Sequence, residues 1–227
     1  MDVADDPCVP QAILFDLDET LLDRTQSIVR YAERLQEDFC SALQPTTASI
    51  LATTILAADA RGYRPRMELY QALRQRLPWR TPPEITHLQQ HWERCFPTSS
   101  VARMGLQETL AELHAQGIRL GIVTNGAVRR QQPKIVQLRI SAYLSTVVIS
   151  EAVQIKKPDP RIFARALAEV GCQASQAWFV GDHPENDILG AAAVGLRPLW
   201  LTGVHPWPAH QPAPRWQIAS LPEVADL

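Results

Sequence analysis

The sequence predicts an α/β fold, an open parallel sheet with flanking helices, carrying an inserted α-helical domain. Three observations predict it. Five short apolar runs read as strands buried on both faces. Helical periods alternate with the later runs. Roughly 85 residues separate "FDLDET", at the end of the first run, from the helix at Gly105, far more than an ordinary strand-to-helix connection.

The first strand is "AILF", Ala12 to Phe15, running directly into "DLDET". In the long segment after it, a 3.6-residue apolar period appears at Ile28, Ala32, Leu35 and Phe39. It recurs at Leu69, Leu73 and Leu77, and at Ile85, Leu88 and Trp92. Pro45, Pro65 and the pair Pro82 and Pro83 mark expected helix starts. About four helices are expected there, as a cap on the mouth of the sheet. The α/β pattern resumes with a helix from Gly105 to Gln116 that places Leu106, Leu110 and Leu113 on one side. The strand "RLGIV" follows, then a helix around Lys134 to Leu138, expected to start late or kink because Pro133 falls inside it. The strand "TVVI", a helix from Arg161 to Val170, and the strands "AWFV" and "RPLWL" complete the alternation. Gly117 and Gly171 stand where helix C-caps belong. The Pro-rich stretch Gly203 to Pro214 reads as an irregular segment, followed by a short strand or helix near Ile218 to Val224. The expected division is an α/β core of residues 1–20 and 103–227 and a helical cap of residues 21–102.

With 227 residues, 46% of them apolar, the chain can bury a sizeable core. A formal charge of -2 offers no bulk attraction to nucleic acid or acidic membranes, so any anion must be held by a local site. The acidic N-terminal "MDVADDPCVP" has no apolar signal region, and no stretch approaches ~18 uninterrupted apolar residues. A cytoplasmic protein is expected, with a small molecule as its partner and neither nucleic acid nor membrane. Cys8, Cys40, Cys95 and Cys172 are far apart, without a C-x-x-C pair, and are expected as reduced thiols.

In an open α/β sheet the working site lies at the C-terminal ends of the strands. Asp16 and Asp18 stand there together, where repulsion and desolvation both oppose them. A divalent, oxygen-preferring cation relieves both, and Mg²⁺ is commonly held by one or two protein carboxylates plus water and substrate phosphate. A helix cap or solvated turn is the plainer reading of that pair. Thr124, Asn125 and Gly126 follow the second strand, a group able to hold a phosphate or simply to cap a helix. Lys156 and Lys157 precede Pro158 after the third, where one lysine could neutralise a phosphate. Asp182 and Asp187 follow the fourth, in "GDHPENDILGA". His183 is expected to make a helix-start hydrogen bond. His87 and His91 are four apart on a helix, a spacing able to bind zinc, but without an evident third ligand they are expected at the surface. Trp79 and Trp92 are expected as core or surface anchors, with substrate-pocket lining as the alternative.

Taken in order, these pieces resemble the haloacid dehalogenase-like hydrolase superfamily, in its phosphatase branch with a small α-helical (C1-type) cap. The matching signatures are Asp16-Leu17-Asp18, Thr124, Lys157-Pro158 and Gly181-Asp182 to Asp187, and the resemblance covers essentially the whole chain. It implies a Rossmann-like sheet and a Mg²⁺-dependent phosphohydrolase acting on a small phosphorylated metabolite through an aspartyl phosphate. Asp16 would be the nucleophile and Asp18 the general acid and then base. Mg²⁺ would be held by the Asp16 side chain, the Asp18 backbone carbonyl and Asp182. Asp187 would orient a metal water or pair with Lys157, while Thr124, the Asn125 backbone and Lys157 gripped the phosphate. Lys156 is the poorer choice because it is not next to the proline. Arg61, Arg64 and Arg66 offer specificity contacts or ordinary surface charge.

Sugar phosphates, nucleoside monophosphates, phosphoglycolate and phosphoserine all fit this reading. The alternatives are a phosphomutase, a 2-haloacid dehalogenase of the same fold, which Asp18 disfavours, and a non-catalytic phospho-acceptor or binding module.

Overall fold

The computed structural model describes residues 9–226; Cys8 and the acidic N-terminal segment lie outside them. The chain forms two compact units. One comprises the residues to Leu22, Ala102–Gln131 and those from Arg139 onward; the other comprises Asp23–Val101 and Gln132–Leu138.

The first unit is built on a parallel sheet. Its strands are β1 (Ala12–Phe15), β4 (Arg119–Thr124), β5 (Leu144–Ile149), β6 (Ala177–Gly181), β7 (Arg197–Leu201) and the short β8 (Gln217–Ile218). They lie in the order β5-β4-β1-β6-β7-β8, every pair parallel. All five runs expected as strands are strands, and β8 extends the sheet where a short element was expected near Ile218. Ala12, Ile13, Leu14 and Phe15 are all fully buried, as a strand covered on both faces must be. Alternation sends Ala12 and Leu14 into a cluster with Val123, Val148, Phe163 and Phe179. Phe163 comes from α8 (Pro160–Val170), which follows the short α7 (Ser150–Val153) and buries Ile162, Phe163, Ala166, Leu167 and Val170 along one stripe. Asp159 caps α8 by accepting from the Arg161 N–H, and Gly171 ends it in the left-handed conformation. On the sheet's other flank, α5 (Leu106–Ala115) buries Leu106, Leu110 and Leu113.

The helix after β4 does not start late. α6 (Val128–Gln137) begins at Val128 and continues through Pro133. Proline removes one helical hydrogen bond, which ordinarily costs ~3 kcal/mol in a helix interior. Burial at Gln131, Ile135 and Leu138, spaced at one helical face, outweighs it.

The chain leaves the first unit through β2 (Leu22–Asp23) and returns through β3 (Val101–Ala102), which pair with each other. Between them lie α1 (Arg24–Asp38), α2 (Ala48–Asp59), α3 (Arg66–Arg76) and α4 (Ile85–Cys95). Asp23 caps α1 by accepting from the Gln26 N–H at 2.8 Å, and Thr47 caps α2 through Ile50. Pro65 directly precedes α3, as its place in the sequence suggested. The shared core takes Ile28, Tyr31 and Leu35 from α1, Leu51 and Ile55 from α2, Leu69 and Leu73 from α3, and Leu88 and Trp92 from α4. Trp92 is fully buried, stacked on Phe96 with ring centroids 4.5 Å apart, so it is a core anchor. Trp79 is buried too and donates its indole N–H to the Leu73 carbonyl at 3.0 Å.

His91 corrects a surface expectation. His87 is exposed, but His91 is buried, with Nδ1 3.0 Å from the Tyr31 hydroxyl and Nε2 3.1 Å from an Asp38 carboxylate oxygen. A buried imidazole must have both nitrogens satisfied, and no periodicity in the sequence shows which partners a second helix brings. Among the described residues Cys40, Cys95 and Cys172 are free thiols, and no helix is long and apolar enough to cross a membrane.

Candidate active site

Strand order sets the site. β1 is central, so its C-terminal end lies between the ends of β4 and β6. Phe15 pairs with Ile122 on one side and Val180 on the other, so Asp16 emerges flanked by Thr124 and Asp182, each two residues past those partners. The chain then turns back at once. The N–H groups of Leu21 and Leu22 both donate to the Leu17 carbonyl at 3.0 Å, and Glu19 takes a left-handed φ of 65°.

Lys157 is the centre of the charge cluster. It is buried, whereas Lys156 is exposed. Its ammonium donates to Asp16 Oδ1 at 2.6 Å and to Asp187 Oδ1 at 2.7 Å. Carboxylate oxygens of Asp16, Asp182 and Asp187 lie within 4.8 Å of one another, all three residues buried. Asp187 reaches the cluster because residue 181 is glycine: a Cβ there would stand 2.5 Å from Asp187 Cβ. Gly181→Ala is therefore expected to displace Asp187, lowering the melting temperature by several degrees, and thermal unfolding would register it.

The electrostatics are unbalanced. One lysine bridges two of three buried carboxylates, so acid outnumbers base there. Burial pushes Asp16 up to about 7; Lys157 pulls it down, while Asp187 and Asp18 push it further up. Burial pushes Asp182 up to about 9, with Asp187 and Asp16 adding to it. Burial acts to lower Lys157, but Asp16 and Asp187 raise it above the ordinary lysine range, so it stays charged. A divalent cation fits such a place: the donors are all hard carboxylate oxygens, and a cation would relieve the burial and repulsion that raise them.

The remaining predicted residues join the cluster by two routes. Asn125 and Lys157 exchange hydrogen bonds, the Asn125 amide donating to the Lys157 carbonyl at 3.0 Å and accepting from its N–H at 2.8 Å. The Asn125 side chain thus anchors the lysine-bearing loop, in which the Lys157–Pro158 bond is cis. Thr124 is buried, and its Oγ1 accepts from Gln131 Nε2 at 2.7 Å; the same nitrogen donates to Asp18 Oδ2 at 2.9 Å. His183 makes the expected helix-start bonds, its Nδ1 accepting from the N–H groups of Glu185 and Asn186 at 3.2 and 3.1 Å.

Four residues here escape sequence reasoning. Gln131 sits in the polar run "RRQQ", where nothing marks one glutamine over the other. Thr20 donates to Asp182 Oδ1 at 3.1 Å, a role its nearness to the D-x-D pair could have suggested. Trp200 donates its indole N–H to the Asp182 carbonyl at 3.0 Å, and His205 Nε2 lies 3.4 Å from Asp182 Oδ2. His205 comes from the Pro-rich stretch read as irregular surface, and only the fold brings it to the site.

This sheet, with acidic groups and a lysine converging at its strand ends, is that of the haloacid dehalogenase-like hydrolases. The chain belongs to that family, matching it over residues 13–201. A phosphoserine phosphatase of Thermus thermophilus is 40% identical over 92 residues, 40% of this chain and 37% of the relative. The chain spans less than half the length of the first curated relatives it matches, between 37% and 49%. Among solved structures, a 2-haloacid dehalogenase from Pseudomonas syringae is 26% identical with a TM-score of 0.60, covering 96% of this chain and 97% of its own. The HAD-hydrolase YfnB of Bacillus subtilis, solved bound to magnesium, is 20% identical with a TM-score of 0.71, covering 96% and 97%.

Proposed function

We propose that the protein is a Mg²⁺-dependent phosphohydrolase of a small phosphorylated metabolite, with the helical unit acting as its cap. The convergence of Asp16, Asp182 and Asp187 around Lys157 supports this reading most strongly. A nucleophilic carboxylate, a charge-balancing cation and a phosphate-gripping ammonium must share one place, and these residues do.

Asp16 attacks phosphorus in line, forming a new O–P bond as the bond to the leaving alcohol oxygen breaks. Asp18 supplies the proton that leaves with the alcohol. A water then attacks the aspartyl phosphate, Asp18 takes its proton, and Asp16 is regenerated with inorganic phosphate released. Asp16 and Asp182, with the Asp18 carbonyl, would hold Mg²⁺, which supplies charge neutralisation for an anionic nucleophile meeting an anionic substrate. Thr124, the Asn125 backbone and Lys157 hold the equatorial oxygens, and Asp187 keeps Lys157 aimed. The similarity to a phosphoserine phosphatase supports a phosphate monoester as substrate. The similarity to the P. syringae dehalogenase favours a second reading, displacement of halide from carbon.

The test is hydrolysis of an aryl phosphate with and without Mg²⁺, beside halide release from a 2-haloacid. Mg²⁺-dependent phosphate release is expected; metal-independent activity, or halide release alone, would overturn the phosphatase reading. Mg²⁺ is also expected to raise the melting temperature of the parent protein and to do so far less in Asp182→Asn, which thermal unfolding at matched ionic strength would show.

A further inference from the structure

We propose that Gln131 is a positioning residue, which sets the hydrogen-bonding polarity of both Asp18 and Thr124. This rests on the phosphatase reading above. The Gln131 side chain is buried, so its amide needs partners inside the protein. Its Nε2 reaches Asp18 Oδ2 at 2.9 Å and Thr124 Oγ1 at 2.7 Å, two acceptors for one NH₂ group.

The amide nitrogen faces both oxygens, so Gln131 donates to each of them. Two consequences follow. Oδ2 of Asp18 accepts from Gln131, which holds the carboxyl group in one orientation. Thr124 accepts from Gln131, so its own hydroxyl hydrogen points elsewhere and is available to a phosphoryl oxygen. One side chain thereby orients the Asp18 carboxyl group and leaves the Thr124 hydroxyl hydrogen for a phosphoryl oxygen.

The local fold is shaped for this. Gln131 stands in the first turn of α6, its N–H donating to the Ala127 carbonyl at 3.0 Å, and helical side chains lean toward the N-terminus, here toward the end of β4. Gly126 gives it passage: a Cβ at 126 would lie 2.9 Å from Gln131 Cδ.

The experiment compares Gln131→Met, near in length but without an amide, and Gln131→Glu with the parent enzyme on an aryl phosphate in saturating Mg²⁺. For both, kcat is expected to fall about 10- to 100-fold with KM changing less than about threefold. The limb of the pH–rate profile governed by Asp18 should move to higher pH, because Gln131→Met removes a donor to the carboxylate and Gln131→Glu sets a like charge beside it. A merely structural glutamine would not move that limb. Thermal unfolding with and without Mg²⁺ reports whether each variant is folded, and either one suffices. Parent-like kcat and an unmoved limb in a folded variant would overturn this inference alone. A parent protein without hydrolytic activity would overturn it together with the phosphatase reading.

Discussion

Asp16→Asn is expected to lower kcat/KM for an aryl phosphate by about 10⁴-fold or more, the scale seen when a nucleophile is removed from an enzyme whose chemistry needs it. The fold should survive. The amide has the shape of the carboxyl group, and Lys157 keeps its bond to Asp187 at 2.7 Å. Stability at alkaline pH should even hold or rise. A carboxyl group whose folded pKa of about 7 exceeds its unfolded value favours folding while protonated and opposes it once ionised. A neutral asparagine removes that opposition above pH 7. Steady-state kinetics and thermal unfolding measure the two effects separately, and activity within tenfold of the parent would show that displacement does not pass through Asp16.

Asp59→Ala is expected to destabilise the helical unit by about 3–5 kcal/mol, the usual consequence of leaving a buried charge without its partner. Arg24 is buried and pairs with both Asp59 oxygens, at 2.6 and 2.8 Å; Arg66 adds a contact at 3.2 Å. Replacing both partners by apolar residues, Arg24→Met with Asp59→Leu, should recover most of the loss, since neither charge then has to be desolvated. Burial alone would raise the Asp59 pKa, but the hydrogen bonds and charge of Arg24 and the charge of Arg66 outweigh it and hold the group below the usual carboxylate range. A depressed folded pKa stabilises fully above the unfolded value. That stabilisation fades as pH falls from about 4 toward the folded pKa. Asp59→Ala should lose this component of acid sensitivity, and unfolding between pH 7 and pH 3 would reveal it. An equal loss in the single and double variants would mean that the pair is not what matters.

The fold was largely legible before any coordinates, because buried parallel strands and amphipathic helices leave periodic signatures in one dimension. All five apolar runs became strands, and four helices fill the segment between "DLDET" and Gly105. Legibility failed where neighbours outvote local preference. Pro133 allows a late helix start, yet α6 begins at Val128, with Gln131, Ile135 and Leu138 buried. His91 reads as surface beside His87, yet Tyr31 and Asp38 from α1 satisfy it inside the helical unit.

The site divides in the same way. The sequence by itself determined that Asp16, Thr124 and Asp182 stand at strand ends, because those positions follow directly from where each apolar run stops. Only the tertiary structure decided that Lys157 bridges Asp16 and Asp187, that Gln131 joins Asp18 to Thr124, and that Thr20, Trp200 and His205 surround Asp182. Those are contacts of a few ångströms between segments up to 162 residues apart. Hydrophobic period reports how each segment is buried, and strand order and register alone determine which polar groups then meet.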